Sequence, residues 1–286
     1  MTTDHVLHRD EVGDNTQPDV ELRRQNLYQW LSRLGYAARG TVYVVIGWLA
    51  LALAMGWGGG TAGSKDAIRY LAEFEAGGVI ATTLLVGLGA FGGWRFFQTL
   101  FDPDGHGLGL KGTVVRFGLL LSGIVYVSLA LFVARIHFGL DLPWDKGDKS
   151  YSEWAALLLS KPAGQWLVGA VCLVALGAAI GHYIKAIRKT FLRYMDIGED
   201  YVMAVTLVSQ VGLIARGTIL LVIGWYLGRV FVSLNPHHAI DEAGVLQVLH
   251  DQPFGFQLLL VAAIGLFAFG LYGLLEAVFR RIDLDT

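Results

Sequence analysis

Gly35-Tyr36-Ala37-Ala38-Arg39-Gly40-Thr41-Val42-Tyr43-Val44-Val45-Ile46-Gly47-Trp48 recurs as Gly212-Leu213-Ile214-Ala215-Arg216-Gly217-Thr218-Ile219-Leu220-Leu221-Val222-Ile223-Gly224-Trp225. Nine of the fourteen positions are identical. A third, more diverged copy lies between them: Arg116 to Val127 matches Arg33 to Val44 at six of twelve positions. Each copy opens an apolar run long enough to cross a bilayer, for which a helix needs about 20 residues. Repetition at this scale decides architecture before any residue is assigned a role.

The repeat extends beyond these three runs. Ala90-Phe91-Gly92-Gly93-Trp94, Ala179-Ile180-Gly181-His182-Tyr183 and Ala268-Phe269-Gly270-Leu271-Tyr272 share an Ala-x-Gly-x-aromatic pattern. The offset from first to third copy is 178 here and 177 in the opening motif. Six spans follow, at about 36–57, 77–98, 114–138, 164–187, 207–234 and 254–278. They form three tandem two-helix units: repeat one at 29–106, repeat two at 107–196 and repeat three at 197–286, after a polar tail at 1–28. Each unit holds an even number of spans, so all three copies point the same way. The expected fold is all-α and polytopic, with the hairpins in pseudo-threefold arrangement about an axis along the membrane normal. The matched glycine-rich odd spans are expected to face one another near that axis.

Composition agrees. Of 286 residues, 54% are hydrophobic, 16% are charged and 37 are glycine, with a mean hydropathy of +0.52. Repeated whole-circumference hydrophobicity excludes a soluble helical bundle. The net charge of −2 offers no field for nucleic acid. Cys172 stands alone, which excludes an intrachain disulfide. The polar N-terminus carries no cleavable signal, so the first span is expected to serve for insertion. Fifteen of the 22 Lys and Arg residues fall on the side of both termini, which predicts cytoplasmic termini.

Each hairpin's connection holds a short amphipathic segment: Ala67, Tyr70, Leu71 and Phe74; Tyr151, Trp154, Leu157 and Leu158; Ile240, Val245, Leu246 and Leu249. These predict interfacial helices lying flat on the bilayer, with Ser64 and Ser152 as N-caps. Membrane lipids are the expected contact, with a membrane-protein partner as a second. A chain with internal threefold repetition can complete its own assembly, so a monomer is expected.

As an ensemble, the three Arg-x-Gly-Tyr-x-x-x-Gly-like entries and the Gly-x-aromatic exits resemble a bacterial membrane family known as domain of unknown function 1206. The resemblance spans about residues 30–283. It implies a six-helix protein of the bacterial inner membrane and carries no activity with it. The second unit departs from the pattern, with Leu119 and Ser122 at the Tyr36 and Arg39 positions. The third has Gln210 and Leu220 at the Arg33 and Tyr43 positions.

Ionisable groups at membrane depth are costly and mark candidate pathways. Arg39 and Arg216 share a repeat position. Arg95, His182 and Glu276 lie towards the same ends of spans two, four and six. The five are expected at similar depth, either lining a vestibule for an anion or a proton relay, or as snorkelling anchors with Glu276 paired to Arg280. His182 breaks the repeat, since Gly93 and Leu271 are its equivalents. Arg135 and Arg229 are expected to pair with acids on the other side, such as Asp66, Glu73, Asp141 or Glu242. His237, His238, Asp241, Glu242, His250 and Asp251 are metal-type ligands without compact spacing, so no metal site and no cofactor are expected. Asp102 to Gly107 reads as a turn rather than a calcium loop. No catalytic constellation appears, so an enzyme is not expected. The leading expectation is a structural, accessory or scaffolding membrane protein. The alternative is a small transporter or channel for an ion or anionic solute.

Overall fold

In a computed structural model, residues 17–58, 60–102, 105, 107, 109–140 and 150–280 are described. Among these residues the chain is all-helical apart from one isolated bridge, Met195 with Arg280. Nine α-helices follow in order: α1 Gln17–Ala54, α2 Ser64–Ala72, α3 Gly77–Phe101, α4 Leu110–Phe138, α5 Tyr151–Leu159, α6 Gly164–Ile187, α7 Val202–Ser233, α8 Glu242–His250 and α9 Gly255–Phe279. Six of them (α1, α3, α4, α6, α7, α9) are long and apolar enough to cross a membrane. Their outward faces expose Val86, Leu173, Ile180, Leu207, Trp225 and Val261, as lipid-facing helices do. The protein is therefore a six-span membrane protein.

The order of neighbours is cyclic. α1 packs on α3, α3 on α4, α6 on α7, α7 on α9, and α9 returns to α1, which is the most extensive contact of all. The even helix of each hairpin thus lies against the odd helix of the next. Two of these interfaces use equivalent residues. A Cβ on Gly270 of α9 would strike Val44 and Gly40 of α1; one on Gly92 of α3 would strike Val127 and Gly123 of α4. Val44 and Val127 are repeat equivalents, as are Gly40 and Gly123. The second hairpin departs from this pattern, because α4 and α6 barely touch.

The closest backbone approaches of the odd helices α1, α4 and α7 are to even helices, while α1 and α7 still meet through side chains, Arg216 Cζ lying 4.8 Å from the Tyr43 ring. The glycines of the odd helices serve the even–odd interfaces. A Cβ on Gly40 would stand 2.8 Å from both Gly270 O and Leu274 N. That space is needed for backbones to approach without a side chain between them. Gly93, Gly177 and Gly181 have no neighbour within 4 Å of a built Cβ and take no part in such packing.

The connection helices form where the amphipathic spacing predicts them, but two caps differ. Gly63 precedes α2, and its N–H donates to Asp66 at 3.1 Å. Ser150 caps α5, its hydroxyl accepting from Glu153 N while Glu153 accepts from Ser150 N. α2 and α8 each pack one face inward. Ala67, Ile68, Val245 and Leu246 are buried in the same core as the spans. α5 belongs to a smaller cluster, with Ala155 against Val168 and Val230.

The glycine contacts yield a direct expectation. Gly270→Ala should destabilise the folded protein by about 1–3 kcal/mol through overpacking. Gly93→Ala, into open space, should be neutral or slightly stabilising, because Ala is the better helix former by about 1 kcal/mol. Unfolding midpoints of the two variants in the same micelle check this; equal midpoints would contradict the packing described.

Candidate functional site

The interior of the ring is not apolar throughout. Two buried ionic clusters lie along it, one on the side where α1 begins and α9 ends, the other on the side of the connection helices.

The first centres on Glu276 of α9, 2% exposed. Its Oε2 accepts from Arg39 Nη2 at 2.6 Å. Its Oε1 accepts from Tyr272 OH at 2.7 Å and from Arg280 Nη1 at 2.9 Å, with Lys185 Nζ at 3.7 Å. Arg39 reaches Glu276 across 237 residues because α9 closes against α1. Its guanidinium carbon lies 5.2 Å from the Tyr36 ring, 5.6 Å from Phe91 and 5.4 Å from Phe269. Such ring contacts favour a cation held away from water. Beneath the cluster, Phe191 is buried against Tyr272, and Asp196 N donates to Phe279 O at 2.8 Å, tying the α6–α7 segment to the end of α9.

The second cluster centres on Glu242, the first residue of α8 and 9% exposed. Its Oε1 accepts from Arg216 Nη1 and from Tyr43 OH, each at 2.9 Å, and Ser64 Oγ lies 3.4 Å from Oε2. The N-termini of α2 and α8 therefore meet here, with the Asp241 carboxylate beside Gly63. Burial raises the Asp241 carboxyl above the usual range, opposed by the N–H of Gly244 that it accepts. Burial, reinforced by the Glu242 and Asp241 charges, raises the Tyr151 phenol at the start of α5.

Arg39 and Arg216 thus share a repeat position but not a direction. Arg39 is drawn to a carboxylate on the terminal side and Arg216 to one on the connection side, so the five candidates do not form one cluster. The repeat explains the difference. Gln98, Ile187 and Glu276 are equivalent positions on the even helices. α7 packs on α6, where Ile187 offers no carboxylate, and Glu242 accepts Arg216 instead. The two clusters share Phe269, whose ring centroid is 5.4 Å from Arg39 Cζ and 5.9 Å from Arg216 Cζ.

His182 stands beside this aromatic, 6.0 Å between ring centroids, with Nδ1 2.7 Å from Ala178 O on its own helix. Arg95 donates to Gln98 Oε1 at 3.0 Å and lies 4.7 Å from the Phe91 centroid. Glu276 does pair with Arg280, but within a larger network than the local i,i+4 pair.

Glu242 does not meet Arg135 or Arg229. Arg229 contacts His238, 3.2 Å between Nη2 and Nε2. Arg69, which bonds Asp66 at 2.9 Å, lines an open pocket of about 260 Å³ with Phe132, Arg135 and Ile136. Asp141 lies outside the described residues. In the Asp102–Gly107 turn, the Asp102 carboxylate accepts from Gly107 N at 2.7 Å.

Tyr43, Lys185 and Tyr272 escaped sequence reasoning as site residues, and Glu242 was matched there to Arg135 and Arg229 rather than to Arg216. The even-span alignment that sets Gln98, Ile187 and Glu276 in one register was the available signal for Arg39 and its carboxylate. Glu276→Gln should cost about 3–5 kcal/mol, because it strands buried cations without their counter-charge. The double variant Arg39→Gln/Glu276→Gln should lose less than the sum of the two single variants. Unfolding of the purified protein in micelles measures both; strict additivity would mean that the two charges are not coupled.

Comparison with known proteins places the chain. No solved structure matches it. The "Uncharacterized protein YxxB" of Bacillus subtilis (strain 168) is 29% identical over 267 residues, covering 91% of this chain and 94% of that protein. The family described as Domain of Unknown Function (DUF1206) matches three times, at residues 34–102, 117–189 and 211–280. With each match falling on one two-helix unit and the three together spanning most of its length, this chain belongs to the DUF1206 family.

Proposed function

We propose that this protein is a small membrane transporter or channel for an ion or anionic solute, with a pathway through the six-helix ring past Phe269. One observation carries the reading: two buried arginines share that aromatic, and each is tied to a carboxylate at a different end of the ring. Buried ion pairs add little net stability over apolar packing, so stability alone gives little reason for them. They do supply exchangeable partners for a charged solute that enters from either side. His182, adjacent to Phe269, adds an imidazole at the ring that the two arginines share. The reading assigns no chemical reaction to the site, so the protein is not taken as an enzyme, and the single chain is taken as the working unit.

The same reading sets the protein in a bacterial inner membrane with cytoplasmic termini and with the three hairpins related by an axis along the membrane normal. The excess of Lys and Arg on the terminal side supports that orientation. Maleimide labelling of intact cells checks it, because native Cys172 is buried. Lys161→Cys, on the connection side, should label from outside, whereas Asp200→Cys should label only after the membrane is opened. The reverse pattern would invert the topology.

A structural or accessory role is the second reading, favoured by the close glycine contact between α1 and α9. Flux assays in proteoliposomes separate the two. Transport predicts flux of protons or of at least one small anion above protein-free vesicles, reduced about tenfold or more in Arg216→Gln and altered in its pH dependence in His182→Ala. No flux for any ion or anionic solute tested would leave the structural reading standing.

A further inference from the structure

Among the described residues, the terminal-side cluster has more cations than carboxylates. Arg39, Arg280 and Lys185 converge on Glu276, and that single side chain also accepts from Tyr272. Arg95 stands next to them without a share in it. Its side-chain hydrogen bond goes to the neutral amide of Gln98, and its guanidinium lies over Phe91, the ring that Arg39 also approaches. Two like charges thus crowd one aromatic. The Nε atoms of Arg39 and Arg95 are both buried and have no hydrogen-bond partner. A buried N–H without an acceptor is costly, and a guanidinium inside a bilayer without a counter-charge more so.

The repeat sharpens the point. Gln98 occupies the position that Glu276 occupies on α9, so the first even helix carries an amide where the third carries a carboxylate. The arginine–acid pairing closed within the chain at α1–α9 is left open at Arg95.

We propose that Arg95, with Arg39 and Lys185, forms a binding site for a small oxyanion, a phosphate or carboxylate group, that enters from the terminal side and supplies the missing acceptor. The guanidinium fork suits the paired oxygens of such a group, and Lys185 adds a point charge. The phosphate of an anionic lipid headgroup offers the same chemistry as a free solute, and the two are told apart below. This site names the solute class for the pathway proposed above and rests on that reading for its role, but its occupancy can be measured without transport.

The test uses the full-length protein, delipidated in a neutral detergent at constant ionic strength, with binding read as a shift in unfolding temperature. The probes are inorganic phosphate, succinate, chloride and dispersed phosphatidylglycerol. Phosphate or succinate should stabilise the wild type in a saturable way. Arg95→Gln should weaken the apparent affinity at least tenfold, with partial recovery in Arg95→Lys. Stabilisation by phosphatidylglycerol alone, lost in Arg95→Gln, would assign the site to a lipid headgroup and support the oxyanion chemistry while removing the solute.

Gln98→Glu keeps the experiment decisive if Arg95→Gln does not fold. It places a carboxylate beside Arg95, and should raise the unfolding temperature without anion and abolish the response to added anion. An equal anion response in wild type, Arg95→Gln and Gln98→Glu would overturn the proposal, as would no response to any oxyanion in the wild type. Arg95-dependent binding without flux would sink the transport reading and leave this site intact. Flux with no Arg95-dependent binding would do the opposite.

Discussion

The close approach of α1 and α9 is the contact on which the rest of the structure depends. Gly40, Gly270 and Gly273 leave no side chain between the two backbones, and the first repeat thereby meets the third. Without that contact the helices would fall into two halves, α1–α3–α4 and α6–α7–α9. With it, they form a ring gapped between α4 and α6, whose interior holds the buried ion pairs. Only in such an interior can Arg39 find Glu276, and only there can charged groups remain at membrane depth with fixed partners. Backbone packing at van der Waals distance thus sets up the electrostatics, and not the reverse.

Duplication explains the scaffold, and divergence explains the polar contents. Equivalent residues make equivalent contacts at α9–α1 and at α3–α4. Chemistry appears where equivalence fails. Glu276 becomes Gln98 in one copy and Ile187 in another; Arg39 is kept as Arg216 but replaced by Ser122. Each loss leaves a partner to be found elsewhere. Arg216 finds it in a connection helix, and that choice brings the start of α8 into the ring beside Ser64 and Tyr43.

Much of the fold was legible in the residues because lipid makes helix the only economical state for a spanning segment. Hydropathy alone located all six spans, and period-four spacing located the helices of the connections. The neighbour order was not legible. Two nearly equal offsets, 177 and 178, say that copies repeat but not which copy touches which. The odd spans carry the more conspicuous glycines, yet those glycines meet even spans, α9 against α1 above all, and no spacing in the sequence says that the last span returns to the first. The site was half legible for the same reason. Arg39, Arg95, His182, Arg216 and Glu276 stood out as charges in apolar runs. Glu242 did not, since it lies in a connection, and nothing in the spacing says that a connection helix turns its first residue inward.

Ring closure between α1 and α9 also bears on how the protein is made. Arg39 enters the membrane with the first hairpin, and its carboxylate lies 237 residues further along the chain. Until α9 is inserted, that guanidinium lacks Glu276, and the equivalent position of its own hairpin is the amide Gln98. The early hairpin must therefore hold Arg39 near the headgroups, where its long side chain can reach water, and draw it inward only when Glu276 arrives. A ribosome stalled before α9 would expose a half-built ring with an unpaired charge on its open edge, which is the kind of surface that membrane quality control can recognise. The pairing of Arg39 is thus complete only when the last hairpin is in place.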